Sequence, residues 1–472
     1  MKITITNIIE IQDPTKEILD YCKKELTFTN PDYIKKQRMG FWLGKTPKTL
    51  NLYDFYQDNI YLPIGCFEDI WNIHPHSEDY TDYTTTNKAN IVSNITLRDY
   101  QKPCTKALKK YVNGIFVLPP GLGKTQIGLE CASVLKQKTI WLTHTKDLLN
   151  QAKQRCEDNL ICKTSTITEG KCDISGDIVF ATVQTLVNII DKGLIRQDEF
   201  GLVIGDEIHH LSTSAESVKM FEKCVDYFTA RYKLGLTATL HRGDGLQSTT
   251  IKILGNVLYE VKKSEDKKNL IGYYEGKEII RIPIEQFQVP AEIYIAETTY
   301  NTSNRDVFDT SGRIIFTKLI SDLATDSDRN RRVLDIVKNL KGYTIVISER
   351  TSQLEELQKQ TPNSIYINGK TPKKQREKQI EEFRNGEYKV LFATYALVAE
   401  GLDIPILENL VMASPVKDER LVVQAIGRCQ RPCDNKKKAY VYDLIDDVSI
   451  LEGFFRKRKN VYKKEGWDIF GI

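Results

Sequence analysis

A chain of 472 residues is too long for one hydrophobic core and calls for two to four domains. Its hydrophobic fraction of 41% can fill such cores, and a net charge of +4 is too close to balance to name a partner. No apolar run approaches membrane length and no signal-peptide pattern opens the chain, so a soluble, intracellular, cytoplasmic protein with no membrane partner is expected. The ten cysteines are scattered without a C-x-x-C pair, with Cys429 and Cys433 the nearest approach, and read as buried reduced thiols.

Residues 1–88 are rich in Tyr, Asn, Pro and Asp, with short apolar runs such as Asn59 to Ile64. They read as a small α+β domain, closed by a polar Thr/Asn linker near 84–90. Tyr33, Lys35, Lys36, Arg38, Phe41 and Trp42 could stack on bases and meet phosphates, though Phe41 and Trp42 could equally form a core. His74-Pro75-His76 with Glu78 reads as a metal fragment or, more simply, as a polar loop.

Residues 89–290 alternate apolar strands with helical stretches, with strands expected at 115–118, 139–142, 178–181, 202–204 and 233–236. The first strand feeds Leu118-Pro119-Pro120-Gly121-Leu122-Gly123-Lys124-Thr125. A strand, a Gly-rich turn and a helix in that order point backbone N–H groups and the helix N-terminus at phosphates. Lys124 would reach the β/γ-phosphates and the Thr125 hydroxyl would hold Mg²⁺. Leu118 stands where the full phosphate-loop pattern has its first Gly. The fourth strand ends in Asp206-Glu207-Ile208-His209: Asp206 would complete the Mg²⁺ site and Glu207 could polarise the attacking water. The stretch 262–288 finishes this first sheet or bridges to the next.

Residues 291–472 show a second series, with strands at 343–347, 364–367, 389–393, 409–413 and 439–442 and a helix over 373–384. The fold class expected is therefore α/β, two tandem parallel-sheet domains preceded by the small α+β domain, with only the first sheet carrying a phosphate loop. Basic runs at 329–332, 373–376 and 456–459 read either as surfaces for a phosphate backbone or as solvated helix faces.

The ordered series of motifs over residues 95–470 resembles superfamily 2 helicases of the DExH type, whose two domains are RecA-like. Leu97-Arg98-Asp99-Tyr100-Gln101 is similar to the adenine-reading motif, which implies nucleotide contacts from Arg98 and from Gln101 as the reader. The resemblance implies that Pro120, Gly121, Leu122, Gly123, Lys124 and Thr125 form the loop that holds ATP. Leu236-Thr237-Ala238-Thr239 is similar to the motif that couples hydrolysis to movement, with His209 bonding across to it. Ala393-Thr394-Tyr395 through Glu400-Gly401-Leu402-Asp403-Ile404-Pro405 resembles the fifth motif, which implies nucleotide contacts from Gly401 and Asp403. Gln424-Ala425-Ile426-Gly427-Arg428-Cys429-Gln430-Arg431 resembles the sixth, which implies catalytic roles for Gln424, Arg428 and Arg431. Charge builds on the γ-phosphoryl oxygens in the transition state, and an inserted guanidinium stabilises it. Arg428 and Arg431, three apart on an expected helix, would share a face. The nucleotide would be completed only when the two domains close. By resemblance alone, Thr143, His144, Thr182, Gln184 and Thr394 would line the nucleic-acid path with phosphate contacts. Cys429-Gln430 departs from a more usual apolar pair.

Within the superfamily the chain is similar to the XPB-related and phage UvsW-like recombination helicases, with poxviral and other large-virus relatives. The Leu-Arg-x-Tyr-Gln opening, Leu240 to Gly245 and Asp322-Leu323-Ala324 with Arg329-Asn330 carry that likeness. It implies an ATP- and Mg²⁺-dependent helicase or translocase on branched or forked DNA, read without sequence preference, in viral or phage replication and recombination. The alternatives are a polymerase-associated transcript-release helicase and the motor of a restriction or defence system. Replication, recombination or transcription proteins are the partners these readings call for.

Overall fold

The computed structural model describes all residues except 120, 169, 212–213, 241–246, 304, 400–403 and 472. The expectations placed on Pro120, on residues 241–245 and on Glu400, Gly401, Leu402 and Asp403 therefore lie outside the described residues. The chain divides into two compact units, Met1–Lys263 with Leu270–Arg281, and Ser264–Asn269 with Ile282–Ile472.

In the first unit the described residues form a ten-stranded sheet. Its parallel centre runs, in spatial order, Thr164–Thr168, Ile178–Thr182, Thr139–Thr143, Leu202–Asp206, Tyr232–Thr237, Asn113–Val117 and Val257–Lys263. Three of these strands, Thr139–Thr143, Ile178–Thr182 and Leu202–Asp206, are buried along their whole length. Helices on both faces of a parallel sheet leave no wet side, so the strands read as unbroken apolar runs rather than alternating ones. Asn269–Tyr274 and Lys277–Pro283 add to the same sheet, so the stretch after 262 finishes the first sheet.

The N-terminal residues build a separate five-stranded sheet in the order Asp54–Tyr56, Asn59–Pro63, Ile8–Gln12, Lys2–Ile5, Tyr80–Asp82. Its alternating burial in Ile8–Gln12, with Ile9 and Ile11 inside, marks a sheet with one packed face. That face shares one continuous core with the phosphate-loop half, joining Ile3, Ile9 and Ile60 to Ile115, Ile253 and Leu254. The junction is tight: a Cβ on Gly65 would stand 2.4 Å from the Lys252 carbonyl oxygen. The fully buried Lys233 donates to the Asn7 carbonyl at 2.8 Å, and Lys252 pairs with Asp69 at 2.7 Å. His74 pairs with Asp79 at 2.6 Å, and among the described residues no group of three His, Cys, Asp or Glu side chains is placed to hold a metal.

The second unit carries a seven-stranded, all-parallel sheet among its described residues. Its order is Ser364–Ile367, Val390–Thr394, Tyr343–Ser348, Leu407–Met412, Ala439–Asp447, Ala291–Asn301, Asp468–Gly471. Two of the basic runs hide a core residue. Arg329 falls at the i position of an i, i+4, i+7 stripe with Val333 and Ile336, so helix Ser327–Asn339 turns it inward. There it pairs with buried Asp446 at 2.7 Å. Arg458 lies likewise on the buried stripe of Ser449–Glu465 with Leu451, Val461 and Tyr462, and forms two 2.9 Å bonds to Asp443. These two arginines are structural and not part of a phosphate-binding surface. No described helix is long and apolar enough to cross a membrane.

Candidate active site

Strands Asn113–Val117, Tyr232–Thr237 and Leu202–Asp206 are adjacent and parallel, with Phe116 beside Leu236 and Leu236 beside Asp206. The phosphate loop, the Thr237 motif and the acidic box therefore leave the sheet at one edge, outside the strands' C-terminal ends, where open α/β sheets bind ligands.

The loop's composition follows from its backbone. Gly121 and Gly123 have φ of +86° and +76°, a region that favours glycine. A Cβ on Gly123 would also meet the Gln101 amide nitrogen at 2.6 Å. Leu118 is not among the positive-φ residues and needs no such freedom. Its side chain is fully buried, its N–H donates to the Thr237 carbonyl at 2.9 Å, and its carbonyl accepts from Lys124 Nζ at 3.4 Å. The Leu in place of the first Gly is thus a packing residue that ties the loop to the coupling motif.

Gln101 and Tyr100 brace the loop from the other side. Gln101 Nε2 and the Tyr100 hydroxyl both donate to the Leu122 carbonyl, at 3.0 and 3.2 Å. Gln101 Oε1 accepts from the Arg98 backbone N–H at 2.9 Å.

Lys124 opens helix Lys124–Leu135, is largely buried, and lies 3.4 Å from Glu207 Oε1. Glu207 has φ +49°, a conformation uncommon for a residue with a Cβ and a form of strain that gathers at functional sites. Its N–H donates to Asp206 Oδ1 at 3.0 Å. Burial first, and then the neighbouring Glu207 charge, push the Asp206 carboxyl up to about 7, against the pull of Lys124 and Arg155. Glu207 Oε2 lies 3.3 Å from His209 Nδ1, which in turn lies 3.1 Å from the Thr237 hydroxyl. That hydroxyl also donates to the Thr239 carbonyl at 2.8 Å. A contiguous polar chain thus runs from Lys124 through Glu207 and His209 to Thr237.

One residue at this edge carries no sequence signal. Arg155, on helix Lys146–Asn159, donates to Thr125 Oγ1 at 3.1 Å. Only the fold brings a residue thirty positions away onto the loop.

The residues expected to meet nucleic acid divide. Thr143 and Thr182 are buried: the Thr143 hydroxyl donates to the Thr145 carbonyl at 3.0 Å, and Thr182 caps helix Val183–Asp191 through the Thr185 N–H. Their hydroxyls bond within local structure, so these two side chains are less open to a strand of nucleic acid than the sequence implies. His144 and Gln184 are exposed, and Thr394 is half-buried with its hydroxyl accepting from the Leu397 N–H at 3.4 Å.

In the second unit, helix Glu419–Cys429 presents Gln424 and Arg428, four apart and half-buried. Arg431 is not on that helix, which ends at Cys429 with Gln430 as its cap. Pro432 disfavours helical conformation for the residue before it, so the expected shared face of Arg428 and Arg431 gives way to a helix and a following turn. Cys429 is buried, and Gln430 bonds Val289 in both directions, Nε2 to its carbonyl at 3.0 Å and carbonyl from its N–H at 2.8 Å. The unusual pair between the arginines is thus an anchor to strand Ala291–Asn301's approach.

Residues 94–242 match the family of type III restriction enzyme res subunits, and residues 328–433 match the helicase conserved C-terminal domain. With both halves matched in this order along the chain, the family is settled. The chain is a superfamily 2 helicase of the DExH type, built on two RecA-like sheets. The helicase is 26% identical to the DNA 3'-5' translocase XPB2 of Sulfurisphaera tokodaii, over 78% of this chain and 86% of that protein. It is 25% identical to a candidate helicase of Invertebrate iridescent virus 6, over 94% of this chain and 98% of that one. Among solved structures, the ATP-dependent Type ISP restriction-modification enzyme LlaBIII bound to DNA aligns with a TM-score of 0.54 and 15% identity. That alignment covers 81% of this helicase but only 32% of the enzyme, and it bears on fold alone.

Proposed function

We propose that this helicase hydrolyses ATP to move along DNA without sequence preference, and that it remodels branched DNA by branch migration, fork regression or unwinding. The observation that carries the motor reading is the polar chain from Lys124 through Glu207 and His209 to Thr237, which links the hydrolysis edge to the coupling motif. Lys124 binds the β/γ-phosphates, Gly121 to Thr125 cradle them, and Arg98 and Gln101 meet the base. Glu207 orients the attacking water and accepts its proton. Gln424, Arg428 and Arg431 act on the γ-phosphoryl charge from the second domain. Thr125 and Asp206 suit Mg²⁺: a hydroxyl and a buried carboxylate held up near 7 form a hard-oxygen pair that a divalent cation favours ionised. The cation would offset charge on the β/γ-oxygens. His144 and Gln184 supply phosphate contacts.

The branched-substrate reading rests on the N-terminal region. Phe41 and Trp42 are 61% and 88% exposed, which removes the core role open to them in the sequence. Met39 is exposed beside them, and Phe41 and Met39 line a cleft of about 650 Å³ with Lys35, Lys36 and Lys45, and with Asp32 and Glu216. Exposed rings among lysines suit unpaired bases with their phosphates. On this reading residues 1–88 choose the substrate, 89–290 bind ATP and 291–472 complete the motor. Likeness to a DNA translocase supports DNA as the track, and likeness to a viral helicase supports an intracellular viral or phage setting.

ATP hydrolysis measured side by side with single-stranded DNA, duplex, forks, four-way junctions and RNA tests this. Strongest stimulation by forks and junctions is expected. Preference for RNA, or equal response to duplex and junction, overturns the branched-DNA assignment. The latter outcome would favour the transcript-release or restriction-motor reading.

A further inference from the structure

Arg431 is borne on a turn, and a turn does not hold a side chain in place as a helix does. The residues that hold this turn are visible. Upstream, Gln430 is clamped to Val289 by two hydrogen bonds. Downstream, Lys436 folds back: its ammonium donates to the Arg431 carbonyl at 2.9 Å and to the Pro405 carbonyl at 3.0 Å. Pro405 closes the fifth motif, so a single side chain joins the exit of that motif to the arginine of the sixth. The run Lys436-Lys437-Lys438 shows how particular this is. Lys437 is exposed and Lys438 pairs with Glu292, whereas Lys436 alone turns inward onto backbone oxygens. Withdrawing an ammonium from water is costly, and burial indeed lowers the Lys436 pKa. The two carbonyls offset part of that cost, and accepting from one ammonium fixes its direction. The turn between them is tightened by the Lys436 N–H bond to the Cys433 carbonyl at 3.1 Å and by Asn435 at φ +66°.

We propose that Lys436 is a positioning residue for the Arg431 guanidinium, locking the arginine-bearing turn to the end of the fifth motif at Pro405. The inference rests on the reading that Arg431 stabilises charge in the transition state. Lys436 bonds backbone carbonyls and acts through the arginine. Its removal leaves Arg431 present but spread over more orientations, so it lowers turnover and spares ground-state nucleotide binding.

The test uses the full chain with Lys436→Met, Lys436→Gln, Lys436→Arg, Arg431→Ala and Lys436→Met combined with Arg431→Ala. DNA-stimulated kcat and KM, affinity for ADP with and without a metal-fluoride γ-phosphate mimic, and thermal unfolding are measured for each. Lys436→Met is expected to lower kcat about tenfold or more with KM within about twofold, and to weaken only the metal-fluoride complex. Lys436→Arg, which can still donate to both carbonyls, restores most of the loss. The double variant should be no slower than Arg431→Ala, because a misplaced arginine and an absent one cannot be lost twice. Should Lys436→Met fail to fold, Lys436→Gln decides, since its amide still donates but is too short for both carbonyls; a wild-type kcat there overturns the proposal. So does a double variant whose losses multiply. An Arg431→Ala enzyme with wild-type turnover sinks the reading of Arg431 itself, whereas a slow Arg431→Ala beside an unimpaired Lys436→Met sinks the positioning role alone.

Discussion

In the first sheet, Asp206 and Thr237 are the last residues of buried strands, and Lys124 opens the helix after a third. In the second sheet, Arg431 hangs beyond a helix end and is held through Val289 and Pro405, respectively 142 and 26 positions earlier in the chain. The first arrangement is local: once an apolar strand finds its sheet, its final residue arrives at the edge. The second is tertiary, because the arginine's place depends on contacts between segments far apart in sequence. The charges at these two places differ as well. The second unit spends two arginines, Arg329 and Arg458, on internal ion pairs with Asp446 and Asp443. Near the first unit's edge the buried cation, Lys124, lies beside the acidic box. A phosphate-binding edge needs its charge available, while a turn-borne arginine needs a rigid frame beneath it.

Replacing the two proposed catalytic cations should give the largest effects and expose the contrast. Lys124→Ala is expected to cut ATP turnover roughly 10³-fold or more while DNA binding is largely kept. Turnover within tenfold of wild type, read in a phosphate-release assay, would break the phosphate-loop assignment. Arg431→Ala should lose turnover on a similar scale, about 10³-fold, with nucleotide affinity near wild type. A raised KM with unchanged kcat would instead make Arg431 a ground-state contact and remove the asymmetry between the units.

A smaller effect probes the frame. Arg458→Met strands buried Asp443, which then keeps the Tyr462 hydroxyl bond at 2.8 Å and loses both guanidinium bonds. Breaking one side of such a pair costs about 3–5 kcal/mol, so the second unit should unfold at clearly lower denaturant in an equilibrium melt. Unchanged stability would show that this ion pair carries little of the frame.

The smallest expected effect concerns the N-terminal patch. Trp42→Ala should weaken fork binding by about 1–3 kcal/mol while shifting stability by no more than about 0.5 kcal/mol, because the ring packs on so little. Fork titrations alongside a thermal melt separate the two. Deleting residues 1–88 is a poor substitute for this variant. The deletion would strip the core shared by Ile3, Ile9 and Ile115, and would leave Lys233 without its Asn7 partner. Loss of motor and substrate choice together would then report packing and not recognition.

Runs of apolar residues by themselves determined both parallel sheets, since a strand covered on both faces is nearly all apolar and announces itself. The motif residues after those strands were legible for the same reason: Gly121 and Gly123 meet a backbone demand, and Asp206 marks a strand end. What only tertiary structure decided are the places where a polar residue's role depends on distant partners. Arg329 and Arg458 read as surface charge because a sequence does not show which helical face meets Asp446 or Asp443. Thr143 and Thr182 read as available hydroxyls, yet a neighbouring carbonyl and a helix N-terminus claim them. Phe41 and Trp42 read equally as core, and their exposure emerged only once the N-terminal sheet had filled its packed face with shorter aliphatic residues. Arg155 and Lys436 were invisible for one physical reason: a long cationic side chain carries its charge several ångströms from its backbone, and only the folded chain says whose oxygen it meets.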